Sequence, residues 1–398
     1  MSEEHVKTNP NPIILSLADD DYYKLTVNQF IFGRYREVRV RYEFRCRSTP
    51  AFPLALLLEA VQAEIDHLCN LSFTPGELAY LRRDPNMRPE YLGWLRGFSL
   101  PRGLIRLYVD GDDLVIIAEG PAVIVQMFEV HVMSIVQELY MREISTPSTL
   151  SQAVSNLNNN LSVGVPFFDF GTRRRYGRVW HEYAVKRAHQ TGLLQGTSNV
   201  YLAMRTGCPL IGTMGHELFQ LIMGVSKIED LGGFVTRTLE EWYEFYGPSL
   251  SIALTDILGS KFFWKSFSPE LAKNYAGIRI DSGSLVAKAE EAIMEYTFRG
   301  VKAEEKKVVF SDGLHFEDGR VLSDTFEGSC LPSICIGTGF TNDVGLIPLQ
   351  IVFKMVAVNG EPVIKLADSA GKAMNVDQSH PRIQKLIALK NEAEGIQT

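Results

Sequence analysis

Two hydrophobic periodicities organise the first part of the chain. From Val38 to Cys46 apolar and charged residues alternate, with Tyr42 and Phe44 on one side and Arg41, Glu43 and Arg45 on the other. A period of two predicts a half-buried strand. Leu54–Leu68 repeats its apolar residues at helical spacing, and Pro75–Leu81 and Pro89–Phe98 read as shorter helices. Leu104–Val109 and Leu114–Ala118 predict a hairpin around Asp110-Gly111-Asp112. A long apolar helix is expected from Ala122 to about Arg142. Ahead of all these, Asp19-Asp20-Asp21-Tyr22-Tyr23-Lys24-Leu25-Thr26 predicts a helix running toward Phe32, because aspartates cap a helix start and suit its dipole. The reading is a loose tail, 1–12, followed by an α+β domain over 13–150.

From about Phe167 short apolar runs alternate with helical segments, and each run ends in small or polar residues. The endings are Asp169-Phe170-Gly171-Thr172-Arg173, Gly196-Thr197-Ser198-Asn199, Gly212-Thr213-Met214-Gly215-His216-Glu217 and Leu254-Thr255-Asp256. Arg279-Ile280-Asp281-Ser282-Gly283, Phe310-Ser311-Asp312-Gly313 and Ile336-Gly337-Thr338-Gly339 complete them. An open doubly wound sheet would also alternate in this way, but it uses mainly its switch point. Polar ends on all the strands suit a ring whose site gathers at the C-terminal ends. Residues 151–345 are therefore expected to form an irregular β/α barrel of about seven strands. Leu349–Val358, Pro362–Leu366 and Pro381–Leu389 predict two strands and a helix, so that 346–398 returns to the N-terminal domain. The fold class expected is α/β.

A chain of 398 residues is long enough for one large domain and a smaller one, or for two. Forty basic against forty-seven acidic residues leave a net charge of −7. No global basic excess points to nucleic acid, and an anionic ligand needs a local positive pocket. The five cysteines, Cys46, Cys69, Cys208, Cys330 and Cys335, form no Cys-x-x-Cys pair, which fits a reducing compartment and no zinc site. Met1–Pro12 is polar and lacks the apolar core of a secretory leader. Glu119, Gly120-Pro121, Glu129 and His131 interrupt the most membrane-like run, Leu114–Val136, so it reads as strand, turn and buried helix. The expectation is a cytoplasmic protein, with the nucleus as a second compartment, and with neither membrane nor nucleic acid as partner.

Candidate chemistry sits at the strand ends. Val165–Phe170 stops at Gly171, and Arg173-Arg174-Arg175 precede the helical stretch Val179–His189. Helix-start N–H groups and guanidinium groups suit a phosphate or carboxylate, and Phe170 adds a flat apolar face. Alone, such a run reads more readily as a solvated turn; the recurring layout favours a site. Arg173 and Arg279 can clamp an anion. Gly337-Thr338-Gly339 allows close backbone approach to a phosphate. Asp281 and Asp312 each follow a strand. They suit Mg²⁺, directly or through water, or a ribose, or only a helix cap. His216, beside Glu217 in a glycine-rich turn, is either structural or a nucleophile held in one tautomer by an adjacent carboxylate. Together these groups suit a sugar phosphate meeting a flat, anionic ring.

The motifs resemble those of the nicotinate phosphoribosyltransferase family, in its ATP-coupled, type II form, from about Leu17 to about Leu386. The resemblance rests on Asp21–Thr26, Glu43-Phe44-Arg45-Cys46-Arg47, Asp169–Arg175, Gly196–Asn199 and Gly212-Thr213 with His216-Glu217. It continues in Ala253–Asp256, Arg279 with Asp281-Ser282-Gly283, Ser311-Asp312, Ile336–Asp343 and Lys365–Ser369 with Gly371-Lys372. The Phe340–Asp343 ending looks most like the fungal branch. The resemblance implies transfer of phosphoribose from phosphoribosyl pyrophosphate to nicotinate, with Mg²⁺ and with ATP as co-substrate. It further implies that Phe170 and Tyr23 sandwich the pyridine ring and that Arg173 and Arg279 serve carboxylate and phosphates. Asp281 and Asp312 would hold ribose and Mg²⁺–pyrophosphate. Gly337, Thr338 and Gly339 would cradle the 5′-phosphate, and ATP would phosphorylate His216 transiently, with Glu217 beside it. Thr197 and Ser198 join the substrate-binding set.

Ser198 stands where nicotinamide-using relatives carry an aspartate, and a neutral side chain there favours the acid. Elsewhere the family's Asp-Ser-Gly-Asp reads Asp281-Ser282-Gly283-Ser284, its alanine before the histidine is Gly215, its tryptophan after His-Glu is Leu218, and an Asn or Asp common after Ser-Asp-x-Leu is His315. A relative acting on another pyridine carboxylate, or a catalytically silent nucleotide binder, stays open, as do monomer and homodimer.

Overall fold

The computed structural model describes residues 11–367 and 377–396. Most of the tail 1–12, together with Asp368-Ser369 and Gly371-Lys372, lies outside the described residues.

The alternation in Val38–Cys46 becomes strand β1 (Arg39–Cys46), with Tyr42 and Phe44 buried. The expected hairpin is β2 (Ile105–Asp110) and β3 (Asp113–Pro121). Six parallel strands follow: β4 (Phe167–Asp169), β5 (Leu194–Thr197), β6 (Ile252–Leu254), β7 (Gly277–Ile280), β8 (Lys307–Phe310) and β9 (Leu331–Ile336). The chain then returns with β10 (Ile351–Val358) and β11 (Glu361–Pro362). The antiparallel sheet has the order β11-β10-β1-β3-β2. β1 pairs with β10 from Val40 opposite Val358 to Cys46 opposite Ile351. The strand expected over Pro362–Leu366 shrinks to Glu361–Pro362, because Pro362 has no N–H to give a ladder and the chain turns away, Leu366 N–H bonding Ile257 O at 2.8 Å.

The parallel sheet has the order β5-β4-β9-β8-β7-β6. Six of the seven predicted polar endings follow a strand. The seventh, Gly212–Glu217, follows only an isolated bridge between Thr197 and Leu210. Pro209 and the glycine-rich run after it cannot sustain a ladder. Among the described residues the two edge strands, β5 and β6, do not pair, so the sheet does not close into a ring by hydrogen bonds.

Ala122–Ile144 runs as a helix in three joined pieces, Ala122–Val125, Gln126–Phe128 and Glu129–Ile144. It is long and apolar enough to span a membrane, but 94% of its apolar window is buried within the fold. It packs on β10 and on the Thr172–Arg174 turn, and so joins the two sheets.

A second link fixes the site. Tyr22 N–H bonds Ser198 O at 2.7 Å, and Tyr201 N–H bonds Ala18 O at 2.8 Å. The buried Asp19 carboxylate accepts two N–H groups of Arg175, each at 2.7 Å, and Asn199 Nδ2 at 2.7 Å. The start of the helix Tyr22–Arg34 is thus pinned to the ends of β4 and β5. Asp21, expected as its cap, makes no side-chain capping bond. The C-terminal helix Pro381–Glu394 packs on the helix Ser260–Ser266 and reaches the antiparallel sheet through Arg382, whose Nε donates to Glu361 of β11 at 3.0 Å. Its Arg382 holds the carbonyls of Met223 and Ser226 at 2.9 and 3.0 Å.

Candidate functional site

The ends of β4, β8 and β9 surround a cavity of about 310 Å³, the size of a small-ligand site. Phe170, Arg173, Arg279, Gly337, Thr338 and Gly339 line it, so the sheet unites these six predicted residues. Asp312 lies in the same loop as the lining residues Ser311 and Gly313. The Arg279 guanidinium stands 5.2 Å above the Phe170 ring. Its Nε donates to Ser311 Oγ at 2.8 Å and its Nη2 to Asp281 at 3.3 Å, and Ser311 also donates to Asp281 at 2.9 Å. Burial would raise the Asp281 pKa, but Arg279 and Lys365 hold it far below the usual carboxylate range. Arg174, also on the cavity wall, is pushed down to about 10 by burial and then by Arg173.

His216 opens the helix His216–Val225. Its Nε2 lies 2.6 Å from Asp256 Oδ1 at the end of β6 and 2.9 Å from Lys365 Nζ. Asp256 further accepts Lys365 at 2.7 Å and Ser282 Oγ at 2.8 Å. Burial and then the Lys365 charge lower the His216 pKa, against the pull of Asp256. Asp256 is held well below the carboxylate range by His216 and Lys365 although burial opposes this. The ligating atoms of His216, Asp256 and Asp281 lie within 4.8 Å of one another. The Lys365 ammonium, 3.6 Å from Asp281 as well, already stands among them as the cation.

Tyr23 is half-buried and its ring packs on Gly215. A β-carbon on Gly215 would come within 2.7 Å of that ring, which explains glycine where the family pattern has alanine. Arg173 bridges toward Asp21 at 4.0 Å and Glu129 at 3.8 Å.

Three predicted site residues turn elsewhere. Glu217 does not orient His216; Asp256 does. The Glu217 carboxylate is buried and accepts Lys24 Nζ and Tyr42 Oη, each at 2.6 Å, and Lys24 also holds Glu129 at 2.7 Å. Burial raises the Glu217 pKa, and Lys24 opposes the rise. Thr197 gives its hydroxyl to Asp169 at 2.6 Å, bracing the buried end of β4 with His181. Ser198 donates to Asp21 at 2.7 Å, so a carboxylate already stands beside this position. Ser284, in place of the family aspartate, is an exposed cap of the helix Leu285–Phe298.

Sequence reasoning assigned no role to Asp256, Lys365, Arg47 or Lys354. Asp256 and Lys365 carry a signal, since each lies in a stretch shared with the family. Lys354 on β10 shows only as a lysine on the open side of an alternating strand. Its pKa is pushed down to about 7 by burial, Arg47 and Lys365.

A parallel sheet whose strand ends gather a glycine cradle, guanidinium groups and a carboxylate-bound histidine defines an α/β enzyme for phosphorylated substrates. The chain belongs to the nicotinate phosphoribosyltransferase (NAPRTase) family: residues 165–391 match that family and 18–137 match its N-terminal domain. It is 38% identical to the nicotinate phosphoribosyltransferase of Chromobacterium violaceum over 385 residues, covering 92% of this chain and 95% of that one. The protein of the same name from Herminiimonas arsenicoxydans is 37% identical, with 92% and 96% covered. The crystal structure of the Vibrio cholerae nicotinate phosphoribosyltransferase superposes with a TM-score of 0.89 at 29% identity, covering 99% and 96% of the two chains. That from Porphyromonas gingivalis gives 0.88 at 27% identity, covering 96% and 100%.

Proposed function

We propose that this chain is an ATP-coupled nicotinate phosphoribosyltransferase supplying nicotinate mononucleotide for NAD biosynthesis. The pyridine nitrogen attacks C1 of phosphoribosyl pyrophosphate, the C1–O bond breaks, and pyrophosphate leaves with the electron pair. The nitrogen is already nucleophilic, so the protein has to position ring and sugar and stabilise the departing charge. In this reading Gly337, Thr338 and Gly339 cradle the 5′-phosphate, and Phe170 and Tyr23 flank the ring. Arg173 and Arg279 hold carboxylate and phosphates, and the preference for the acid rests on them rather than on Ser198. Asp281 and Asp312 hold the ribose.

Mg²⁺ fits the carboxylates of Asp281 and Asp312, hard oxygens following adjacent strands, better than the His216 cluster, where Lys365 already balances the charge. There it would neutralise the pyrophosphate that leaves.

The observation that carries the ATP reading is the 2.6 Å contact between His216 Nε2 and Asp256. An ionised carboxylate only accepts, so Nε2 donates to Asp256 and does not accept from Lys365, whose ammonium is held by the other Asp256 oxygen at 2.7 Å; Nδ1 then keeps its lone pair. Nδ1 is then the nucleophile for the γ-phosphoryl group of ATP, with ADP leaving. Hydrolysis of the phosphohistidine returns the free imidazole.

The test mixes the protein with Mg²⁺, phosphoribosyl pyrophosphate and nicotinate, with and without ATP, and follows nicotinate mononucleotide and pyrophosphate by chromatography. Product that rises with ATP is expected. His216→Ala should lose the coupled ATP hydrolysis and keep a weak, ATP-independent transfer. No product from folded protein that still binds phosphoribosyl pyrophosphate would overturn the reading.

A further inference from the structure

We propose that His315 is a ligand-binding residue of the phosphate cradle, its ring donating an N–H to the 5′-phosphate of the sugar substrate. The inference rests on the reading of Gly337-Thr338-Gly339 as the 5′-phosphate site.

His315 lines the same cavity as those three residues and Arg174. The Nδ1 edge of its ring lies beside Gly339. A β-carbon on Gly339 would stand 3.4 Å from that nitrogen and 2.5 Å from Leu314 O, so only glycine lets the two loops approach this closely. The ring is also placed by the start of a helix. His315 is the N-cap residue of the helix Phe316–Phe326, and the Asp318 carboxylate accepts the His315 backbone N–H at 3.1 Å. An imidazole always carries at least one N–H, so the ring can present a donor to an anion in the cavity. The cradle's own loop brings glycine backbone and the Thr338 hydroxyl, and Arg173, Arg174 and Arg279 bring charge; the loop after β8 adds this donor. The carboxylate on the wall, Asp343, is held by Asn156 at 3.1 Å and Asn160 at 2.9 Å. An Asn or Asp, common here in the family pattern, would cap the helix with a shorter side chain. The histidine carries its ring to the cavity wall.

His315→Ser and His315→Asp both keep a good helix cap, so folding and cradle can be separated. Each variant should melt like the parent and raise KM for phosphoribosyl pyrophosphate about tenfold or more, the loss of one hydrogen bond to a charged group. KM for nicotinate should hold, and kcat should stay within about twofold, since the lost bond is made equally in ground and transition states. Ribose 5-phosphate, titrated calorimetrically into the full chain without other substrates, should weaken by the same factor. Unchanged ribose 5-phosphate affinity in both variants would overturn the inference even if the transferase reading stands. His315-dependent binding in a protein that forms no nicotinate mononucleotide would overturn the transferase reading and uphold the cradle.

Discussion

His216 meets Asp256 across 2.6 Å, Nε2 to Oδ1, from 40 positions away in the chain. The histidine begins a helix and the aspartate follows β6, so the pair exists only because the fold sets these two ends side by side. Lys365, arriving after β11, completes the group at 2.7 Å from Asp256. The histidine is thereby kept neutral and oriented, the state a phosphoryl acceptor needs.

On the proposal that ATP phosphorylates His216, this arrangement sets the acid limb of ATP hydrolysis. Only neutral imidazole has the lone pair, so the rate falls as pH drops through the His216 pKa, which lies below the ordinary 6.5. Lys365→Met removes a positive neighbour and should move the limb to higher pH. Asp256→Asn removes a negative neighbour and should move it to lower pH. It should also slow the coupled reaction by about a hundredfold or more, because the tautomer is no longer fixed. A pH profile of ATP hydrolysis for the three proteins checks this, and a limb that moves in neither variant would assign the titration to another group.

Local chemistry is what the sequence carries well. Phe170, Arg173, Arg279 and Gly337–Gly339 are legible because they lie at or just after the ends of β4, β7 and β9, and parallel strands bring their ends together. Asp256 and Lys365 are legible only as parts of motifs, since their meeting with His216 depends on the order of strands and on the return of the chain through β10. Glu217 misleads for the opposite reason. Neighbours at a helix start point about 100° apart, so His216 faces Asp256 while Glu217 faces Lys24 inside. The Gly212–Glu217 ending looks like the other strand endings, yet a proline and three glycines nearby leave it without a ladder.

Lys24 should prove a stability residue. It stands between Glu217 and Glu129 at 2.6 and 2.7 Å, wholly buried. Lys24→Met leaves two buried carboxylates without this cation and should cost roughly 3–5 kcal/mol. Glu217→Gln keeps an oxygen for Lys24 and Tyr42 and should cost roughly 1–2 kcal/mol. Denaturant unfolding ranks the two, and equal losses would contradict the assignment.

Acid should loosen the joint between the N-terminal segment and the parallel sheet. Burial would raise the Asp19 pKa, but the Arg175 charge and hydrogen bonds, with Asn199, bring it from 3.8 to about 2. A carboxylate depressed in the folded state contributes stability above its unfolded pKa and loses it as pH falls through the folded one. The contribution at neutral pH is on the order of 2 kcal/mol. Asp19→Asn should be less stable near neutrality, and its stability should fall less steeply between about pH 4 and about pH 2. Thermal unfolding across that range measures the slope, and parallel curves for the two proteins would rule the linkage out.

Lys354 should report the arrival of the anionic substrate. It lies on β10, opposite Glu43 of β1, close enough to Lys365 and Asp281 to feel their charges. Burial, Arg47 and Lys365 push its pKa down to about 7, with Glu129 and Asp281 opposing. Near pH 8 the free protein therefore holds it largely neutral. A polyphosphate beside it favours the charged form, raises its pKa and draws in a proton on binding. Calorimetric titration of phosphoribosyl pyrophosphate near pH 8, in two buffers of different ionisation enthalpy, should show uptake approaching about one proton per site. Near pH 6 the lysine is charged in both states, so its share of the uptake vanishes. Lys354→Met should remove the uptake at pH 8 and weaken binding. A heat independent of the buffer in the parent would mean that the phosphates bind away from β10 and that this lysine is held down for packing alone.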